Sequence, residues 1–245
     1  MVTVTLHIWR SDHTFTYHTV NVPEDSYVID AIERVVAGQT AEANHPPLVW
    51  RHACHHASCG SCGVRIDGLE KLPCITPLSD YASGRPITLR PLAHFPPVAD
   101  LVVHFASFFE RMRTVGMPIV RTDETVPREG VTASGGESAH KANEPGAPLA
   151  LAHDLRFEDC IECGLCVSAC PAMVNPRFIG PAALAAAERL MEEPRGADLV
   201  SLLQIVDQQT GIWSCRSSYS CSAVCPSGVD PAGAIIRLRK RILDS

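Results

Sequence analysis

The sequence predicts an α+β protein in two parts, a strand-rich amino-terminal part and a helical carboxyl-terminal part. Three observations point to it. Through the first hundred residues, short runs alternate apolar and polar side chains, the period of a half-buried strand. Beyond them the apolar residues recur at helical spacing instead. All eleven cysteines fall into three regularly spaced groups, one in the first part and two in the second.

The elements follow in order. Val2, Val4, Leu6 and Ile8 share one strand face, and Phe15 to Val22 supplies the partner strand of a hairpin. Asp25 or Ser26 is placed to cap a helix with the apolar stripe Val28, Ile32, Val35 and Val36, and Gly38 closes it. Pro46 and Pro47 precede a short strand expected around Leu48–Trp50, and the first cysteine loop follows. Gly63–Ile66 and Ile87–Leu89 read as further strands. Two strands, a helix, then more strands around a cysteine loop is the order of a β-grasp [2Fe–2S] ferredoxin. Val98 to Arg113 reads as a helix, as do Pro181–Glu192, Ala197–Asp207 and Pro231–Leu243. The expected division is a β-grasp domain over 1–105 and an α-helical ferredoxin domain over 106–245. Residues 122–150 are rich in Pro, Gly, Ser, Ala and Glu with almost no large apolar side chains, the composition of an extended linker.

Composition excludes several classes. At 245 residues with 46% apolar content, the chain has ample material for buried cores. A net charge of −6 argues against nucleic acid as partner. No apolar run approaches the roughly 18–20 residues that span a bilayer. The start VTVTLHIWR reads as a strand rather than a secretory leader, so thiolates binding metal in a reducing compartment are favoured over disulfides. The basic stretch IIRLRKRILDS reads as a solvated helix face.

Cysteine spacing carries the chemistry. Cys54, Cys59, Cys62 and Cys74 form Cys-x4-Cys-x2-Cys…Cys, the plant-type [2Fe–2S] spacing, and are the expected ligands of that cluster. A four-cysteine zinc site would instead show paired Cys-x2-Cys knuckles. His52, His55 and His56 crowd the loop, but four cysteines already suffice, so a Rieske arrangement is disfavoured. Gly60 and Gly63 are expected to permit the tight or left-handed turns that bring backbone N–H groups to the sulfurs. The second group, Cys160, Cys163, Cys166 and Cys170 before Pro171, is the Cys-x2-Cys-x2-Cys-x3-Cys-Pro run of two-cluster ferredoxins. The third repeats the same intervals with Cys215, Ser218, Cys221 and Cys225 before Pro226, so serine stands where the second cysteine belongs. In two-cluster ferredoxins the fourth cysteine of one run serves the other cluster. Applied here, Cys160, Cys163, Cys166 and Cys225 hold a [4Fe–4S] cluster. Cys170, Cys215 and Cys221 hold a cluster one ligand short, hence [3Fe–4S], unless the Ser218 oxygen supplies the fourth ligand.

The order of these groups, the Cys-x5-Cys-x3-Cys-Pro third group, the CGSCG loop, HFPPVADLVVHFASFFERM and NPRFIGPAALAAAERL together resemble the iron–sulfur subunit of succinate dehydrogenase and fumarate reductase, over nearly the whole chain. The resemblance implies electron transfer from the FAD of a partner flavoprotein through [2Fe–2S], [4Fe–4S] and [3Fe–4S] to a membrane quinone. It also implies a membrane anchor subunit that holds this chain peripherally at the cytoplasmic face of the inner or plasma membrane. No residue here is expected to be catalytic for succinate, and no dinucleotide fingerprint for a flavin is present. The quinone is expected near Pro171, Met173, Val174, Arg216 and Ser218. The stretch PAMVNP lacks the tryptophan that many members carry there, and Arg216 stands where a histidine is frequent. Two other readings remain open at this point: the iron–sulfur subunit of a quinol- or thiol-dependent fumarate reductase, and a freely diffusing multi-cluster ferredoxin.

Overall fold

A computed structural model describes residues 1–39, 46–81, 84–117, 159–192 and 199–244, so the expected linker at 122–150 lies outside the described residues. Strands β1 (Val2–Trp9) and β2 (Phe15–Val22) form the predicted antiparallel hairpin. Leu6 and Ile8 are fully buried, whereas His7 on the opposite face stacks between Phe15 and Tyr17 at ring distances of 4.2 and 4.3 Å. Three further strands, β3 (Val64–Ile66), β4 (Leu69–Lys71) and β5 (Ile87–Arg90), complete a sheet of order β2-β1-β5-β3-β4. The β1–β5 pair is parallel and the others antiparallel, which is the β-grasp arrangement. Helix α1 (Val28–Gly38) turns Val28, Ala31, Ile32 and Val35 into the core of this sheet.

The α1 cap differs from the expectation. Tyr27, not Asp25 or Ser26, is the capping residue, and its N–H donates to the Asp30 carboxylate at 2.7 Å. Ser26 is held elsewhere: its carbonyl accepts from Leu78 N–H at 3.0 Å, in the bridge that Tyr27 makes with Pro77. Two other readings are also corrected. Leu48–Trp50 forms no strand, because side chains take its backbone groups: Leu48 N–H donates to Gln39 and Val49 N–H to Asp100, each at 2.8 Å. The expected helix from Val98 begins only at Ala106. Before it, β6 (Pro97–Ala99) and β7 (Val102–Val103) form a small hairpin turned by Asp100, whose φ of +43° no helix accommodates.

Helix α2 (Ala106–Thr114) leads into the helical half, made of α3 (Leu165–Ser168), α4 (Pro181–Glu192), α5 (Leu199–Val206), α6 (Ser220–Ala223) and α7 (Pro231–Leu243). Helix α4 is buried on nearly every side, consistent with its run of alanines, and α7 packs along it. Glu188 on α4 is 5% exposed, and both its carboxylate oxygens accept from the Arg237 guanidinium, at 2.8 and 3.3 Å. A buried carboxylate is sustainable only with such a partner.

The larger hydrophobic core is shared. It joins Ile29, Leu72, Leu92 and Phe95 of the first half to Phe108, Leu165, Phe178, Leu184 and Leu238. Polar contacts cross the same seam: Ser168 Oγ donates to Glu70 at 2.8 Å while accepting from Ala93 N–H at 2.8 Å. Closest of all, a Cβ at Gly60 would stand 2.7 Å from the Ile161 carbonyl oxygen and 2.8 Å from Cys163 Cβ.

Gly60 also has φ +66°. Gly60→Ala is therefore expected to destabilise the protein by at least the roughly 1–2 kcal/mol that a left-handed backbone costs an L-residue, with the backbone clash added. Urea unfolding followed by circular dichroism checks this. An unchanged midpoint would contradict the close approach of the two loops.

Candidate iron–sulfur centres

The first cysteine loop is hung from two buried charges. Arg10 and Asp100 are 4% and 3% exposed and lie 3.3 Å apart, Arg10 Nε to Asp100 Oδ1. Asp100 accepts from Ser11 N–H and Oγ–H and from Val49 N–H, while Arg10 donates to the Pro46 carbonyl. The chain entering the loop is thus fixed from both sides. The loop itself holds left-handed backbone at His55, Ala57 and Gly60. Of the two expected glycines, Gly60 has the left-handed turn. Gly63 does not, and is instead required by closeness, since a Cβ there would lie 3.1 Å from Leu165 and 3.3 Å from the Cys163 carbonyl oxygen.

Cys54, Cys59, Cys62 and Cys74 converge around this loop. Cys62 and Cys74 are buried with their sulfurs 3.5 Å apart, and Cys74 comes back to the loop on the short turn Pro73–Ile75 after the β3–β4 hairpin. Cys59 N–H donates to Cys54 Sγ at 3.4 Å. Backbone N–H groups, that of His56 foremost, hold the Cys54 thiol down to about 6, whereas burial pushes Cys62 up to about 12. His56 turns its Nδ1 to the Cys54 carbonyl and its Nε2 to Ser58 Oγ, so it shapes the loop.

The two carboxyl-terminal groups interleave. Cys160, Cys163, Cys166 and Cys225 line one recess, together with Phe108, Ala182, Val229 and Pro231. Burial, followed by repulsion from the neighbouring thiolates, raises Cys163 to about 11 and Cys166 well above its ordinary value. Cys160 is raised by the same burial, with Cys225 among its repelling neighbours. A second set forms around Cys221, pushed up to about 12 by burial and then by Cys170 and Cys215. Cys170 is likewise raised by burial, opposed in part by the positive charge of Arg216. All eleven cysteines are free thiols. Thiols that burial and mutual repulsion keep from ionising suit a polycationic metal–sulfide group, which stabilises the thiolate form. The donor sets fit the clusters that the spacing implies.

Backbone geometry around these sulfurs is again left-handed, at Glu162 and Gly164 in one run and Ser217 and Tyr219 in the other. Gly164 is forced: a Cβ would meet the Phe105 ring at 2.9 Å and Phe95 at 3.0 Å. Ser217 N–H reaches Cys215 Sγ and Val229 N–H reaches Cys225 Sγ, both at 3.4 Å. Asp230 caps α7, accepting from Gly233 N–H and from the Ser222 hydroxyl, and that hydroxyl bond chiefly lowers the Asp230 pKa.

Of the residues expected near a quinone, Pro171, Val174, Arg216 and Ser218 are exposed around the third group, with Val174 at 68%. Met173 is buried, its sulfur turned toward Gly180. The basic carboxyl-terminal helix keeps the solvated face expected of it, with Arg237 and Arg241 43% and 42% exposed, but its arginines also hold partners. Arg239 donates to the carbonyls of Ile212 and Cys215, at 2.8 and 2.6 Å, and to Ser217 Oγ at 3.0 Å. Arg237 holds Glu188, and Arg241 holds Glu192. Nothing in the charge pattern reveals this, because the carbonyl partners are made by a loop more than twenty residues away.

Comparison with known proteins agrees with the geometry. The family model described as "2Fe-2S iron-sulfur cluster binding domain" matches residues 5–110, and "4Fe-4S dicluster domain" matches residues 156–229. The fumarate reductase iron–sulfur subunit of Haemophilus influenzae is 36% identical over 92% of this chain and 85% of its own length. The chain belongs to the iron–sulfur subunits of the fumarate reductase and succinate dehydrogenase family. The succinate dehydrogenase iron–sulfur subunit of Coxiella burnetii is 30% identical over 81% of this chain and 79% of its own. A chain in the apo form of the Mycobacterium smegmatis Sdh1 complex superposes with a TM-score of 0.76 at 25% identity, covering 99% of this chain and 96% of that one.

In the family context the thiol environments give a pH test. With iron removed anaerobically, Cys54 is expected to alkylate as its thiolate forms, with a midpoint near pH 6. Cys62, Cys163 and Cys221 should stay protonated and slow at neutral pH, because their pKa values lie near 12, 11 and 12. Mass spectrometry of iodoacetamide-labelled peptides between about pH 5 and 9 reads both. Cys54 labelling that follows the Cys62 profile would contradict this geometry.

Proposed function

We propose that this chain is the electron-transfer subunit of a succinate:quinone oxidoreductase, and that Cys54, Cys59, Cys62 and Cys74 hold [2Fe–2S], Cys160, Cys163, Cys166 and Cys225 hold [4Fe–4S], and Cys170, Cys215 and Cys221 hold [3Fe–4S]. When bound, these clusters supply one-electron carriers between the FAD of a partner flavoprotein and a quinone. The observation that carries the reading is the interleaving of the two carboxyl-terminal groups, with Cys225 among the first three cysteines of the second group and Cys170 beside the third. The protein's own contribution is to bury the thiols, aim backbone N–H groups at them and keep the loops in contact. Two units, 1–105 and 106–245, are the proposed division, supported by the two family models even though the larger core crosses between them.

The chain is further proposed to sit peripherally at the cytoplasmic face of the inner or plasma membrane, held by an anchor subunit. No helix among the described residues is long and apolar enough to cross a membrane. Exposed apolar side chains that follow Cys170 and flank Cys215 and Cys221 in sequence support the docking: Val174, Trp213 and Tyr219 are 68%, 38% and 53% exposed. Quinone reduction is proposed near Pro171, Val174, Arg216 and Ser218, all exposed. Arg216 is exposed and electrostatically coupled to Cys170, so its guanidinium is available to donate a charge-assisted hydrogen bond to a quinone oxygen. Family members carry both the succinate dehydrogenase and the fumarate reductase names, and both directions run through the same chain of centres.

In the assembled complex, Arg216→Ala is expected to impair quinone reduction while succinate oxidation by an artificial dye continues. Unchanged quinone kinetics would remove Arg216 from the site. Ser218→Cys tests the cluster assignment itself. A thiolate is a far better iron ligand than a neutral hydroxyl, so the variant should gain a fourth iron and lose the [3Fe–4S] EPR signal of the air-oxidised wild type. A wild-type protein with no such signal and with eight irons in its carboxyl-terminal unit would overturn the assignment.

A further inference from the structure

We propose that Glu33, His52 and His55 form a zinc site beside the first cysteine loop, separate from the eleven cysteines. One oxygen of Glu33, Oε1, lies 3.2 Å from His55 Nε2 and 3.6 Å from His52 Nδ1, and the two ring nitrogens are 3.3 Å apart. Three donor atoms from three side chains therefore lie close enough together to share one cation.

Hydrogen bonding spans two edges of that triangle at most: one His55 N–H shared between Glu33 and His52 covers the 3.2 and 3.3 Å edges, and the 3.6 Å edge from His52 to Glu33 is too long to be a hydrogen bond. On that third edge the lone pairs of His52 Nδ1 and Glu33 Oε1 face each other without a proton between them. A cation satisfies all three lone pairs at once. Zinc binds imidazole nitrogen and carboxylate oxygen at about 2.0–2.2 Å in a tetrahedron, which sets neighbouring ligand atoms about 3.4 Å apart. The observed edges bracket that value.

The ligands are also supported from outside. Trp50 stacks flat on His52 at 4.1 Å, fixing the ring plane, and His55 is held in the left-handed region at φ +62°. Glu33 comes from α1 and the two histidines from the loop, so the metal would tie that helix to the loop that carries Cys54. All three side chains are between a third and a half exposed, leaving a fourth position open to water, as in three-ligand zinc sites. Two imidazoles select zinc over calcium or magnesium, which take oxygen ligands. His56 does not take part, because both its ring nitrogens are engaged by Cys54 and Ser58.

The test uses the full-length protein with its iron–sulfur clusters intact, cleared of loose metal with a chelator and dialysed anaerobically against micromolar zinc chloride. One zinc per chain should be retained with iron content unchanged, and thermal stability should rise with zinc concentration, as expected for a ligand that binds only the folded state. Glu33→Gln and His55→Asn should each weaken zinc binding by at least about tenfold, since each removes one of three ligands. Both variants should keep the [2Fe–2S] absorption, and Glu33→Gln, which lies on α1 away from the cysteines, keeps the test open if His55→Asn loses the cluster. Zinc retained equally by Glu33→Gln, zinc taken up only with loss of iron, or no zinc retained by the wild type would each overturn the proposal.

Discussion

The contact on which the rest of this structure depends is the one between two cysteine loops at Gly60. Its α-carbon faces the Ile161 carbonyl and the Cys163 backbone so closely that no side chain fits between them. Gly63 against Leu165 and Gly164 against Phe95 and Phe105 repeat the arrangement on either side. Glu70, Ser168 and Ala93 then lock the seam with buried hydrogen bonds, which are expensive to break because each partner would be left unsatisfied. Electron tunnelling weakens steeply with distance, so a protein that moves electrons between separate centres must hold its loops together more tightly than ordinary domain packing requires. Here the two halves share a core rather than merely touching.

The thiols set the second constraint. Burial and mutual repulsion oppose ionisation of Cys62, Cys163, Cys166 and Cys221, yet metal ligation requires the ionised form. Without metal these thiols stay neutral, and a cationic centre that binds the thiolate form reverses that preference, while the same burial keeps water away from the sulfurs. Cys54 is the exception, held down by backbone N–H groups at the outer edge of its loop. A gradient of environment within one group of four ligands follows from loop geometry alone.

Much of this was legible in the sequence, and what was missed has physical causes. Cysteine spacing is a property of short loops, so it pointed to the gathering that the structure shows, with Cys225 lining one recess with Cys160, Cys163 and Cys166, and Cys170 near Cys215 and Cys221. Strand alternation gave the first hairpin, and helical spacing the α1 stripe, because one face of each is buried. The segment from Val98 was misread because the apolar residues of a tight β-hairpin and of a helix look alike over a few positions; Asp100, buried under Arg10, decides between them. The partners of Arg239 on α7, the Ile212 and Cys215 carbonyls, were not legible because they exist only once the third loop has formed. Likewise Glu33, His52 and His55 come together only through tertiary structure.

The exchange of cysteines between the two runs also orders events in time. The recess lined by Cys160, Cys163 and Cys166 is completed by Cys225, which is synthesised 65 residues after Cys160. A nascent chain thus displays three unpaired thiols, and soon a fourth in Cys170, well before it can close either carboxyl-terminal centre. During that interval the chain is vulnerable to oxidation and to capture of the wrong metal, whereas the amino-terminal group, complete by Cys74, is not delayed in this way. The order of its cysteines thus leaves both carboxyl-terminal sets open until the last turn of the third loop is made.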